Sequence, residues 1–204
     1  MYSSYPSIIH GFHGCDNDLA EAIFAGEETL KPSQNTYDWL GSGIYFWEND
    51  HVRAYEFAVE LSNNPKSKVK NPAVVGATID LGHCFNLLGR DALAEVKQGY
   101  NLLKRLSKEA GLTLPENKMG NAEGNDFLLR HLDCAVIQTI HEFRQESPEF
   151  QSYDSVRGVF WEGEPIYEGA GFKEKNHIQV CVRNPNCIKG YFRPLDKIDG
   201  YPIP

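Results

Sequence analysis

Apolar and polar positions along the chain predict strands at both ends with helices between them. Ile8 to His13 reads as a strand in which apolar and small residues dominate. A short helix follows: Asp16 or Asn17 can cap it, Leu19 and Ile23 share a face at i,i+4, and Gly26 ends it. A polar loop, Glu27 to Asp38, leads to the run Trp39-Leu40-Gly41-Ser42-Gly43-Ile44-Tyr45-Phe46-Trp47. The next helix begins near Asn49 or Asp50. It carries Val52, Tyr55 and Val59 on one face and stops before the Asn63-Asn64-Pro65 breaker. Ala73 to Leu81 reads as a buried strand closed by Gly82.

From Asp91 to Ala110, the residues Val96, Tyr100, Leu103, Leu106 and Ala110 recur at spacings of three and four, the pattern of an amphipathic helix. Leu112 to Asn125 is a loop rich in Gly, Asn and Pro. A second stripe, Leu128, Leu132, Val136, Ile140 and Phe143, predicts a helix over Asp126 to Gln145. The two helices read as a hairpin inserted at about 90–147 between strand-rich halves. The last third returns to strands at Tyr153 to Trp161, Ile178 to Val182 and Ile188 to Phe192, with an Arg183-Asn184-Pro185-Asn186 turn. The expectation is one α+β domain over 1–204, built on a split mixed/antiparallel sheet.

Composition narrows the class. Of 204 residues, 41% are hydrophobic and 24% charged, which suits a globular chain and not a disordered one. With 20 Lys+Arg against 28 Asp+Glu the net charge is −8, unfavourable for coating nucleic acid or an anionic membrane. Lys66, Lys68 and Lys70, beside Pro65 and Pro72, read as a solvated loop. No apolar run reaches the roughly 18 residues of a membrane span, and the N-terminal residues lack the pattern of a signal peptide. The five cysteines are scattered without a CxxC pair, as expected of reduced thiols in a cytosol rather than of disulfides or zinc.

Three pieces at strand edges carry candidate chemistry. In Gly11-Phe12-His13-Gly14 the imidazole can donate or accept, and a glycine beside it lets a ligand approach the backbone. In Gly41-Ser42-Gly43-Ile44-Tyr45-Phe46 small residues leave space before an aromatic that could wall a flat-ring pocket. The dinucleotide fingerprint is not met there, because the third glycine is missing. In Asn176-His177-Ile178-Gln179-Val180-Cys181-Val182, Gln179 alternates with apolar neighbours and must find hydrogen-bond partners if buried. Each has a purely structural explanation when taken alone. A metal-dependent hydrolase using His10, His13 and Cys15 fits poorly, since alternation puts His10 and His13 on opposite faces.

In sequence order, the pieces resemble the ADP-ribosyltransferase superfamily, in the class shared by diphtheria toxin and the poly(ADP-ribose) polymerases. That class carries a His on an early strand, a Tyr on a middle strand and a Glu, Asp or Gln on a late strand. Phe12-His13-Gly14 resembles its His-Gly element, and Gly41-Ser42-Gly43-Ile44-Tyr45-Phe46 its Gly-x-Gly-Ile-Tyr-Phe element. Ala54 matches an Ala nine residues after the Tyr, and Ala73 to Gly82 resembles a strand ending in Ala-Leu-Gly. Aligning Asn184-Pro185 with an Asp-Pro turn puts Gln179 where the polymerases carry Glu. The resemblance covers roughly 8–82 and 155–193.

The resemblance implies a mono-ADP-ribosyltransferase with NAD as co-substrate and no metal. His13 would bond the ribose of the adenosine half, the Gly14 backbone would hold the nicotinamide carboxamide, Tyr45 would stack on the nicotinamide ring, and Gln179 would bond the ribose that loses nicotinamide. The expected catalytic residues are Gln179 and Tyr45; His13, Gly14 and Tyr45 bind NAD. Two departures stand out. Gln179 lacks the negative charge of a Glu, which Glu162, Glu164, Glu168 or Glu174 of the preceding loop could supply. Glu56 and Arg53 stand where the polymerases place a second stacking Tyr and a Ser, leaving Tyr55 or Phe57 to form the other wall. Arg157 is a candidate pyrophosphate contact, or else the partner of a carboxylate. The acceptor is open between protein and nucleic acid, with the acidic loop favouring a protein or small nucleophile. A cytosolic bacterial toxin or phage-defence effector, with an antitoxin or inhibitor partner, is the expected setting. The alternatives are a catalytically silent NAD-binding module, with the extra helices as a partner surface, and an NAD glycohydrolase.

Overall fold

The computed structural model describes residues 7–119 and 126–195. The N-terminal hexapeptide and the second half of the Gly- and Asn-rich loop lie outside the described residues. A mixed α/β architecture results. Its main sheet has seven strands: β1 (Ile8–Asp16), β2 (Ile44–Glu48), β3 (Pro72–Asp80), β4 (Cys84–Asn86), β7 (Ser155–Phe160), β8 (His177–Val182) and β9 (Ile188–Phe192). Their order across the sheet is β4-β7-β8-β2-β1-β3-β9. Only β4 and β7 run parallel; the other neighbours are antiparallel. Two short strands, β5 (Asn117–Lys118) and β6 (Leu129–Arg130), pair separately.

Among the described residues four helices pack on the main sheet: α1 (Asn17–Phe24), α2 (His51–Ser62), α3 (Arg90–Glu109) and α4 (His131–Glu146). Alternation along the strands divides the core in two. On one face Ile9, Phe46, Val75, Ala77, Ile79, Val180 and Val182 pack with Ala20 and Ile23 of α1. On the other, Val156, Phe160 and Cys181 meet Val136, Ile137 and Ile140 of α4 and Tyr100 and Leu103 of α3. Burying side chains of this size contributes about 1.5–3 kcal/mol each. The helical pair therefore packs on the face of the sheet that carries Val156, Phe160 and Cys181.

Caps fix where helices begin. Asp16, not Asn17, caps α1, accepting from Asp18 N at 3.1 Å. Its second oxygen accepts from Lys70 and Asn71 at 2.7 and 2.9 Å, tying the entrance of β3 to the exit of β1. Asp50 caps α2 through Arg53 N at 2.8 Å.

Two expectations are corrected. Val52 and Tyr55 of α2 face solvent, and the buried side of that helix is Arg53, Ala54 and Ala58. The cause lies beneath: a Cβ on Gly14 would strike the Ala54 carbonyl oxygen, so α2 lies too close to β1 for larger side chains. The helix expected over Asp126 to Gln145 begins only at His131. Asn117, distant in sequence, ends the preceding loop by accepting from Leu132 and Asp133 backbone N–H at 2.9 and 3.2 Å. Strands β4, β5 and β6 are too short to leave a periodic trace.

Candidate active site

β1 and β2 pair only at Gly11↔Glu48 and Phe12↔Trp47. His10 accepts from Asn49 N at 2.9 Å, so the polar groups of His10 face β2. The period of two turns those of Phe12 and Gly14 to the same edge. Continuing the ladder would bring Gly14 to Tyr45, but the Tyr45 carbonyl accepts from the His13 imidazole Nδ1 instead, at 2.8 Å. The side chain thereby parts the two strands. It leaves the Gly14 N–H and C=O facing the gap without a β2 partner.

That bond also sets the tautomer: Nδ1 carries the proton and Nε2 is an acceptor. Burial lowers the His13 pKa below its ordinary value, against the opposing Tyr45 carbonyl. The ring packs edge-on to Phe46, centroids 5.9 Å apart.

Tyr45 lies on the face opposite His13. Its hydroxyl donates to Gly41 O at 2.6 Å and accepts from Leu40 N at 2.8 Å, locking the Gly41-Ser42-Gly43 turn. Burial raises its pKa well above the ordinary phenol value. The space left by the two glycines is filled by the protein itself. A Cβ on Gly43 would lie 2.5 Å from Cys181 Sγ, and one on Gly41, at φ +80°, 2.9 Å from Ile137. The Ser42 hydroxyl accepts from Gln138 of α4 at 2.6 Å. The turn is a packing device that aims Tyr45.

Gln179 pairs with Trp47 on one side and Gly158 on the other. It shares a face of the sheet with Tyr45 and Trp47, and His177 precedes it on that face. His177 is enclosed by Trp39, Trp47 and Phe160, ring centroids 6.3, 6.4 and 5.8 Å away. Above this wall stands Arg53, 5% exposed, with its guanidinium 5.7 Å from the Trp47 ring centroid. Arg53 Nη2 lies 3.2 and 3.3 Å from the two Glu162 carboxylate oxygens. Of the four loop glutamates named as candidates, Glu162 is thus the one turned toward Gln179's surroundings; Glu164, Glu168 and Glu174 are exposed. Arg53 Nη1 is ion-paired with Glu60 Oε1 at 3.5 Å, whereas Trp47 Nε1 and Arg53 Nε are buried without a hydrogen-bond acceptor among the described residues. Such orphaned donors cost roughly 1–3 kcal/mol each and mark a place where an acceptor-bearing ligand would be favoured.

Other candidates resolve differently. Arg157 is held by Glu48, Nε to Oε2 at 2.5 Å and Nη2 to Oε1 at 2.8 Å, and both side chains are buried. It is therefore the partner of a carboxylate. Phe57 packs tilted against Trp47, ring centroids 4.9 Å apart, whereas Tyr55 and Glu56 are exposed. Ala54 is fully buried over Gly14. His10 lies against Phe192, while Cys15 belongs to the core on the other face. Lys66, Lys68 and Lys70 are exposed. Trp47 and Arg53 carried no assigned role in the sequence. Their trace there is faint: a Trp two residues after Tyr45, and an Arg beside the matched Ala54.

No protein-family model matches the chain, and no solved structure matches it. The chain is similar to the uncharacterized protein MJ0359 of Methanocaldococcus jannaschii, 28% identical over 196 residues, covering 87% of this chain and 83% of that protein. Among the described residues no helix is long and apolar enough to cross a membrane.

Proposed function

We propose that this chain is a mono-ADP-ribosyltransferase. The observation that carries the reading is the parted edge of β1 and β2. There His13 occupies the Tyr45 carbonyl and frees one N–H and one C=O of Gly14, with Tyr45 and Gln179 on the next two strands. A primary carboxamide needs one acceptor and one donor, side by side, and the free edge of Gly14 offers that pair. His13 Nε2 is an acceptor suited to a ribose hydroxyl.

In the reaction the bond between nicotinamide nitrogen and ribose C1′ breaks, and the electron pair leaves with nicotinamide. A nucleophile of the acceptor bonds to C1′ and gives up its proton. Positive charge gathers on the ribose in the transition state. The Gln179 amide dipole and the Glu162 carboxylate lie on the side of the site where that charge is stabilised. Glu162 is paired with Arg53, so it contributes there as half of an ion pair and Gln179 acts through its dipole.

The test is purified protein with adenine-labelled NAD and a cell lysate, following free nicotinamide and label on macromolecules. Labelled macromolecule lost in Tyr45→Ala is expected. Gln179→Ala should lower kcat more than NAD affinity, because its contact strengthens as charge develops. His13→Ala should chiefly weaken NAD binding. Nicotinamide release without labelled macromolecule would instead identify an NAD glycohydrolase. Bound NAD with no release would identify a silent binding module, and release equal in wild type and Tyr45→Ala would refute the site.

A further inference from the structure

His177 stands two residues before Gln179 on β8, so both side chains share one face. His177 Nδ1 lies 2.6 Å from the Lys175 carbonyl oxygen, and its Nε2 lies 3.1 Å from Gln179 Nε2. A carbonyl oxygen only accepts. The neutral imidazole therefore carries its proton on Nδ1, and Nε2 is an acceptor. Gln179 must donate an amide N–H to it. With the amide nitrogen held at His177, the carbonyl oxygen is the end of the amide turned away from the imidazole.

We propose that His177 is a positioning residue that fixes the orientation of the Gln179 amide, so that a glutamine presents an acceptor where the resembled enzymes carry glutamate. The inference rests on the transferase reading and explains how its late-strand residue works. A free glutamine amide presents NH2 or oxygen with equal ease; only the oxygen accepts from a ribose hydroxyl. A protonated His177 would donate from both nitrogens and turn the amide over.

The surroundings keep His177 neutral. Burial, and secondarily Arg53 of α2, lower its pKa below the ordinary value, opposed by the Lys175 carbonyl, Glu162 of the loop and Asp50 at the start of α2. Trp39, Trp47 and Phe160 complete the enclosure with uncharged rings. Turnover should accordingly fall only as the pH drops below about 6.5.

The experiment compares nicotinamide release by wild type, His177→Phe, Gln179→Glu and the double variant. Phenylalanine suits the aromatic enclosure, and melting curves check that each variant folds. His177→Phe is expected to lower kcat about tenfold with an unchanged KM for NAD. A carboxylate has two acceptor oxygens and needs no partner to orient it. The double variant should therefore match Gln179→Glu within about twofold. An equal loss in both backgrounds, or no loss in the first, would overturn the role. A readout independent of turnover is the imidazole 15N spectrum at neutral pH. Protonated Nδ1 and bare Nε2 are expected, and the reverse tautomer overturns the inference. Wild type that releases no nicotinamide overturns the transferase reading and this role with it; active wild type indifferent to His177→Phe overturns this role alone.

Discussion

At the scale of single residues, three histidines show how position decides chemistry. His13 and His177 each direct one nitrogen at a backbone carbonyl and keep the other as an acceptor. His141 is different: it is 2% exposed, and neither nitrogen has a partner among the described residues. Burial, reinforced by Arg183 and Arg144, pushes its pKa down to about 3. The folded state holds it neutral, whereas the unfolded chain binds a proton below about pH 6.5. Stability from this group is complete above that pH and is lost as pH falls toward 3, at about 1.4 kcal/mol per pH unit. His141→Leu is expected to be about 1 kcal/mol more stable at neutral pH, since it leaves no polar group unpaired. It should also lose less stability between about pH 7 and about pH 5. Urea melts at both values check this, and an unchanged pH dependence would refute it. His13 and His177, also shifted down, remain in the variant, so the acid sensitivity is reduced and not abolished. The sequence showed that His13 precedes a glycine; it could not show which carbonyl the ring would meet, because Tyr45 is 32 residues away.

At the scale of elements, close approach matters more than the apolar stripe. Helix α2 turns Arg53, Ala54 and Ala58 inward while Val52 and Tyr55 face water. A period of three and four identifies a helix but not which side meets the sheet, and Gly14 on β1 decides that here. Helices α3 and α4 meet in the same way at Gly99, which is buried in the middle of α3. A Cβ there would strike Ile140 Cγ1 of α4 and lie 2.7 Å from its Cδ1. In an isolated helix Gly→Ala would stabilise by roughly 1 kcal/mol. Gly99→Ala is instead expected to be less stable than wild type by about 1 kcal/mol, because overpacking of a buried contact costs about 1–3 kcal/mol. Chemical denaturation measures the sign; a gain would show that the two helices part freely. The helix boundaries were legible where the cap is local, as at Asp16 and Asp50. At α4 the capping oxygen belongs to Asn117, and no local pattern marks the start.

At the scale of the whole molecule, the two cores are joined through one strand. Val180 and Val182 of β8 enter one core and Cys181 the other, and β8 lies between β7 and β2. Losing either core exposes a face of the strand that carries Gln179. Heat unfolding is therefore expected to be one transition, coincident by near- and far-ultraviolet circular dichroism. Two separated transitions would show that α3 and α4 fold as an independent unit. By itself the sequence determined the mixed composition of strands and helices, the two-helix stretch, and the motifs around His13, Tyr45 and Gln179. Those follow from local periodicity, from caps, and from short runs whose residue types constrain their own backbone. Tertiary structure alone decided that β1 and β2 separate at His13 and that Arg53 and Glu162 pair above Trp47. These depend on strand order and helix placement, which bring together residues up to 109 positions apart. No local pattern encodes such distances, because the energy that sets them comes from closing the whole sheet.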